Sequence, residues 1–201
     1  MKKFLFLLFP VLLIGCGNSF VDIAQSTVLI DDKGSGTIVR VNQGPLDEVY
    51  ILTAQHVVLD NEYVNITFYN RHHIGAITDH QMLLGEVVLT DSGEDIAIVR
   101  VIMNDCQFRS VKVGNSLPSL GNPLWVSGYP GNRFFLSNGI MGGEMWGMGI
   151  LTNHVHFGSS GGGVYNENYE LIGMVRAMSP PIAGHFVFVS RLMLNGYLEG
   201  L

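Results

Sequence analysis

The chain is punctuated too often for long helices. Its 25 glycines among 201 residues divide it into short runs of β-branched and apolar residues, each bounded by turn formers. Ser26–Ile30, Gly36–Val41, Val49–Thr53, Val64–Tyr69, Leu83–Thr90 and Ile96–Ile102 read as six strands. A loop-rich stretch from Asn104 to Pro123 follows. Six more runs come after it: Leu124–Gly128, Leu136–Gly142, Met148–His154, Gly163–Tyr165, Leu171–Ala177 and Phe186–Ser190. No stretch between them sustains helical spacing of apolar residues over several turns. This pattern predicts an all-β protein of two six-stranded antiparallel β-barrels, the first over about 21–103 and the second over about 123–190. The tail Arg191–Leu201 reads as a short C-terminal helix.

The first residues are of another kind. Lys2 and Lys3 precede an apolar run from Phe4 to Gly15 and then Cys16, the make-up of an export signal. The run is short for a membrane-spanning helix, and Pro10 interrupts it. Leu13-Ile14-Gly15-Cys16 resembles the bacterial lipobox. That resemblance implies cleavage before Cys16 and lipidation of its sulfur. An ordinary signal peptide with an incidental cysteine is the alternative. On the lipobox reading, 1–15 are a signal peptide and 16–20 an anchor connector. Residues 21–201 are then the folded domain, exported and anchored to a membrane of the cell envelope on its periplasmic or other extracytoplasmic face. Loss of Lys2 and Lys3 takes the formal charge from −6 to about −8. So acidic a chain argues against a nucleic-acid partner. Cys106 would then lack a disulfide partner. No histidine motif accompanies it, and it reads as a small buried residue.

Three stretches carry chemistry. Thr53-Ala54-Gln55-His56 places a histidine just after an apolar strand, and Asp95-Ile96-Ala97-Ile98 places an aspartate at a strand start. Gly158-Ser159-Ser160-Gly161-Gly162 sets a serine among glycines, which allow tight turns and close approach of a substrate. Each alone is a common surface or turn feature. In this order they form a nucleophilic set: a base deprotonates a hydroxyl and a carboxylate fixes the base's tautomer. The N–H groups of Gly158 and Ser160 can stabilise an oxyanion.

These motifs resemble those of the trypsin-like serine peptidases of the chymotrypsin fold, nearest the bacterial Deg/HtrA and glutamyl-endopeptidase-like branches. The resemblance rests on Gly34-Ser35-Gly36-Thr37-Ile38-Val39, Ile51 to Val58, Asp95 to Ile98, Gly121 to Pro130, Ser137 to Ile140, Gly158 to Val164 and Leu171 to Val175. It runs over about residues 20 to 192. It implies His56 as base, Asp95 as its orienter, Ser160 as nucleophile, and Gly158 with Ser160 as the oxyanion hole. It implies a serine endopeptidase acting on extended protein segments, with no cofactor and no metal. Ser159 stands where many digestive members carry an acidic residue that secures a newly cut N-terminus, so activation by such a cut is not expected. On this resemblance no appended peptide-binding domain is expected.

By the same resemblance, His154, Val155, Val175, Ala177 and Met178 line the substrate pocket. A histidine rather than a carboxylate at 154 disfavours lysine or arginine before the cleaved bond. Apolar or small side chains are the default preference, and His154 facing core or solvent is the plainer reading. Arg176 meets either substrate backbone or solvent. His154 and His156 share a strand face, a two-ligand spacing with no third ligand in sight. The Gly158–Gly162 stretch also fits the elbow of α/β-hydrolases. That fold needs an acid and then a histidine after the serine, and only 41 residues follow Ser160. The rival from another class is a catalytically idle binding module of the same fold, anchored in the cell envelope.

Overall fold

The computed structural model describes residues 19–70, 79–114, 118–145, 147–179, 186–191 and 196–197. The leader and Cys16 lie outside the described residues, as do most of the tail and the side chains of Ala177 and Met178.

A seven-residue helix, α1 (Phe20–Ser26), opens the domain. Ser19 Oγ accepts from Asp22 N at 3.3 Å, and Asp22 Oδ2 accepts from Ser19 N at 2.9 Å. This reciprocal cap supplies partners for groups that a short helix cannot satisfy internally. The sequence reading missed α1, because two turns are too few to establish a period and the cap closes on Asp rather than Glu or Gln. The first barrel comprises β1 (Thr27–Ile30), β2 (Gly34–Asn42), β3 (Asp47–Ala54), β4 (Tyr63–Asn70), β5 (Asp79–Asp91) and β6 (Ile96–Met103). A four-residue helix, α2 (Gln55–Val58), follows β3. The second barrel comprises β7 (Pro123–Gly128), β8 (Phe135–Met145), β9 (Met148–Leu151), β10 (Gly163–Tyr165), β11 (Leu171–Ser179) and β12 (Phe186–Arg191).

All neighbouring strands are antiparallel. The first barrel runs β1-β2-β3-β6-β5-β4 and closes where Ile30 pairs with Ile66. The second runs β10-β11-β12-β9-β8-β7 and closes where Val164 pairs with Val126. Closure removes the exposed edges that an open sheet would leave. The chain is all-β with two six-stranded barrels, as the strand count predicts. In the tail, residues 196–197 are helical, and β12 extends one residue further than expected, through Arg191. β9 stops at Leu151 rather than His154. Just past it, buried Asn153 turns its Nδ2 to the carbonyls of Leu124 and Ser137.

Alternation puts Ile38, Val49, Ile51, Ile66, Phe68 and Ile98 into the first core. Burial of each such side chain stabilises the fold by roughly 1.5–3 kcal/mol. Leu124, Val126, Met141, Leu151, Val155, Val164, Ile172 and Val175 form the second core. Tyr165, Leu171 and Met174 of the second barrel pack into the first core, so the seam is itself core. Thr27 and Ser127 bridge the seam through their hydroxyls at 2.8 Å. Tyr129 stacks on Tyr69 across it, with ring centroids 5.0 Å apart. A seam tied in this way fixes the two barrels relative to each other, as any site shared between them requires.

Candidate active site

The β3–β6 ladder decides where the histidine and aspartate meet. It runs in register from Asp47↔Met103 to Ala54↔Ile96. The next pair outward is therefore Gln55 and Asp95, and Gln55 N donates to Asp95 O at 3.0 Å. There β3 passes into α2, and His56 N donates to Asp95 Oδ1 at 2.9 Å. His56 Nδ1 lies 2.8 Å from Asp95 Oδ2. An ionised carboxylate only accepts, so Nδ1 carries the proton and Nε2 keeps its lone pair. The Asp95 side chain is 13% exposed and that of His56 45%. Asp95 reaches this position with a left-handed backbone, φ 56°, which aspartate tolerates better than most residues. Both carboxylate oxygens are engaged, so the imidazole has one favoured orientation.

Among the described residues, Ser35 ties the Gly158–Gly162 loop to the first barrel. It is fully buried, and all its polar groups are used. Ser35 N donates to Ser160 O at 2.8 Å. Ser35 Oγ donates to Gly158 O at 2.6 Å and accepts from Tyr129 N at 2.8 Å. Ser35 O accepts from Thr53 Oγ1 at 2.7 Å. Within the loop, Ser159 N donates to His156 O, and Ser159 Oγ accepts from His156 N. Gly161 N donates to Val175 O, and Val175 N to Gly162 O, each at 2.8 Å. The N–H groups of Gly158 and Ser160 donate to no acceptor among the described residues. Ser35 appeared in the sequence only as part of a strand motif; no local signal marks it as the clamp.

Two glycines make this packing possible. Gly161 has φ 81°, and a Cβ there would fall 2.2 Å from Ser35 O and 2.9 Å from Ala54 N. Gly158 has φ 96°, and its Cβ would fall 2.7 Å from Tyr129 O. Both backbones are in the region that favours glycine, and neither site has room for a side chain. Gly161, the residue after Ser160, thus lies against the end of β3, two residues before His56. Among the described residues no hydrogen bond joins Ser160 Oγ to the imidazole. In unliganded sites such bonds are often long and tighten when substrate binds.

The remaining residues divide. His154 is exposed and, with Val155, His156, Pro130 and Phe135, lines an open pocket of about 290 Å³. Val175 is 1% exposed and lies in the second core beside Val155. Its contribution to the site is made by its backbone, which corrects the expectation that its side chain lines the pocket. Strand alternation turns Val175 inward. Arg176, the next residue, faces Asp95, with Nε 3.7 Å from Oδ2. Its side chain is partly exposed, and the contact with Asp95 adds a third neighbour to the two expected, substrate backbone and solvent. Cys106 is half-buried, and burial pushes its thiol up, which disfavours the reactive thiolate. Among the described residues no three His, Cys, Asp or Glu side chains converge on one point.

The trypsin-like peptidase domain family matches residues 34–174, from the first residue of β2 into β11. Similar curated proteins are the serine protease HtrA-like of Staphylococcus aureus strain USA300 and that of strain bovine RF122 / ET3-1. Each is 29% identical over 167 residues, covering 73% of this chain and 20% of the relative. The chain thus spans about one fifth of the length of these relatives. A similar solved structure is the serine endoprotease from Yersinia pestis, with TM-score 0.69 and 19% identity. It is matched over 91% of this chain and 66% of that one, a likeness of fold. With more than half of its residues matched, the chain belongs to the trypsin-like peptidase family.

Proposed function

We propose that the chain is a serine endopeptidase that cleaves extended segments of protein substrates. One observation carries this reading: the glycine-flanked serine loop packs on the end of β3, the strand that leads into the carboxylate-held imidazole. In the proposed reaction Ser160 Oγ attacks the scissile carbonyl carbon as His56 Nε2 takes its proton. Asp95 holds the ring and stabilises the imidazolium. The oxyanion forms facing the N–H groups of Gly158 and Ser160. The C–N bond then breaks, and the leaving amine takes the proton from Nε2. Water, deprotonated by the same nitrogen, then attacks the acyl carbon; the C–Oγ bond breaks, and Ser160 Oγ takes the proton back from Nε2.

In this reading the edge of β11 open to substrate is short. β10 already pairs with Leu171 to Met174, and Val175 bonds to the nucleophile loop. Beyond Val175, β11 is paired with β12 on its other side. An extended peptide can therefore add along residues 176–179 and lead its scissile bond to Ser160. His154 and Val155 belong to the pocket wall in this reading. The pocket's apolar wall favours apolar or small side chains.

We also infer export through the 1–15 leader and anchoring through lipid on Cys16, facing the periplasm or another extracytoplasmic space. A diacyl or triacyl group holds a membrane far better than a single chain. Labelling with a serine-reactive phosphonate tests the enzymatic reading. An adduct that requires both Ser160 and His56 supports it. A folded chain that takes no label is a binding module instead.

A further inference from the structure

The contact that the sequence left open links the substrate-binding strand to the acid of the site. Along β11, Val175 pairs with Val189 and Ala177 with Phe188, so Arg176 is an extra residue in a β-bulge. Bulges next to active sites re-aim a side chain that regular alternation would send elsewhere. Here the guanidinium reaches across the barrel seam. Nη2 donates to Gly93 O at 3.2 Å, Nε lies 3.7 Å from Asp95 Oδ2, and Nη1 lies 3.8 Å from Met148 Sδ. Contacts to the turn before β6 and to β9 thus hold one planar group. Its side chain is 27% exposed and that of Asp95 13%, so salt screens the pair less than an open surface pair.

Asp95 Oδ2 is shared. It receives His56 Nδ1 at 2.8 Å and faces Arg176 Nε on another side. The other ionisable groups on this turn are Asp91 and Glu94. Asp91 is occupied by Tyr197 Oη at 2.7 Å and by the N–H groups of Gly93 and Glu94. Among the described residues, Arg176 is the Lys or Arg paired with Asp95. A carboxylate stabilises an imidazolium, whereas a cation beside that carboxylate opposes it.

We propose that Arg176 is a positioning residue of this site: by neutralising Asp95 from the β11 side, it keeps His56 in its neutral, proton-accepting form to lower pH than Asp95 alone would allow. The inference rests on the peptidase reading for its purpose, but not for its test. It implies that β11 both offers an edge for substrate and sets the acid limit of the site. Displacement of the bulge would change both.

The test is a proton titration of the full chain by isotope-edited NMR, with the His56 resonance assigned by His56→Ala. Arg176→Gln raises the His56 midpoint by about 0.5–1 pH unit. Arg176→Lys keeps the charge and stays nearer the wild type, and Arg176→Glu goes higher still. A lost structural brace would not order the variants by charge. Midpoints in Arg176→Gln and Arg176→Glu within about 0.2 unit of the wild type would overturn the proposal. So would a rise in Arg176→Lys as large as that in Arg176→Gln. The titration needs a folded chain and no activity. Failure of phosphonate labelling would therefore sink the peptidase reading while this result still decides on Arg176.

Discussion

Replacing Ser35 by alanine removes a single oxygen and two hydrogen bonds. Tyr129 N–H loses its acceptor in a seam too tight to admit water easily, since Ser35 is fully buried and Tyr129 1% exposed, and the part-buried Gly158 C=O loses its donor. An orphaned buried polar group costs about 1–3 kcal/mol, so Ser35→Ala should destabilise the chain by roughly 2–4 kcal/mol. At about 2–4 °C per kcal/mol for a chain of this size, Tm falls by roughly 5–15 °C. The freed peptide joins Gly158 to Ser159, between the two N–H groups proposed to face the oxyanion. If half or more of the lost energy was holding those donors in place, the phosphonate labelling rate falls about 5- to 10³-fold at a temperature where the variant is folded. The assay is the second-order labelling rate at 20 °C beside a melting curve. A variant that melts as expected but labels within twofold of the wild type would refute the clamp's part in the chemistry. A variant that melts like the wild type would refute the accounting of its bonds.

Asp95→Asn leaves one acceptor for two donors: with its oxygen on His56 N, its NH2 faces Nδ1, a donor where the tautomer needs an acceptor. The labelling rate should fall by about 10³–10⁴ with the melting curve nearly unchanged, and a loss under tenfold would contradict the assigned tautomer. Gly161→Ala cannot be accommodated at φ 81° with Ser35 O 2.2 Å from the new carbon. We expect a loss of at least about 3 kcal/mol, seen as insoluble protein or a sharply lower Tm; a wild-type melting curve would show that the barrels can part. Asp91 is held below its usual 3.8, first by the Tyr197 hydroxyl and then by Glu94 N–H. A lowered folded value gives stability present above 3.8 and lost as pH falls through that lowered value. Tyr197 is pushed up to about 12, chiefly by its bond to Asp91. Its share persists below the ordinary tyrosine value near 10 and is lost as pH rises through about 12. Exchange of the Tyr197 amide, corrected for intrinsic rate, should therefore be slow at neutral pH and faster both in acid below 3.8 and above 12. Tyr197→Phe should be fast throughout, and equal protection in the two chains would contradict this.

The strands were legible because β-branched runs and turn residues are local signals, and closure into barrels follows from having six antiparallel strands in each set. α1 was not legible, because a two-turn helix has no period to detect. The motifs named His56, Asp95 and Ser160, but what sets the first two 2.8 Å apart is the β3–β6 register, a property of two segments some forty residues apart. Ser35 was hidden for a related reason. Its partners, Gly158, Ser160, Tyr129 and Thr53, come from three other parts of the chain and share no spacing with it. Val175 and Arg176 show the limit of alternation. Counting by twos turns Val175 inward, as observed, but only the bulge tells where Arg176 goes, and no residue in the sequence announces a bulge.

A crystal structure of the phosphonate adduct would test the central arrangement most directly. The account predicts phosphorus bonded to Ser160 Oγ, with one phosphoryl oxygen about 2.7–3.1 Å from the nitrogens of both Gly158 and Ser160. It also predicts His56 Nε2 within hydrogen-bond reach of Ser160 Oγ, and Asp95 still on Nδ1. An adduct on another residue, or one on Ser160 with the phosphoryl oxygens turned away from those two nitrogens, would contradict it.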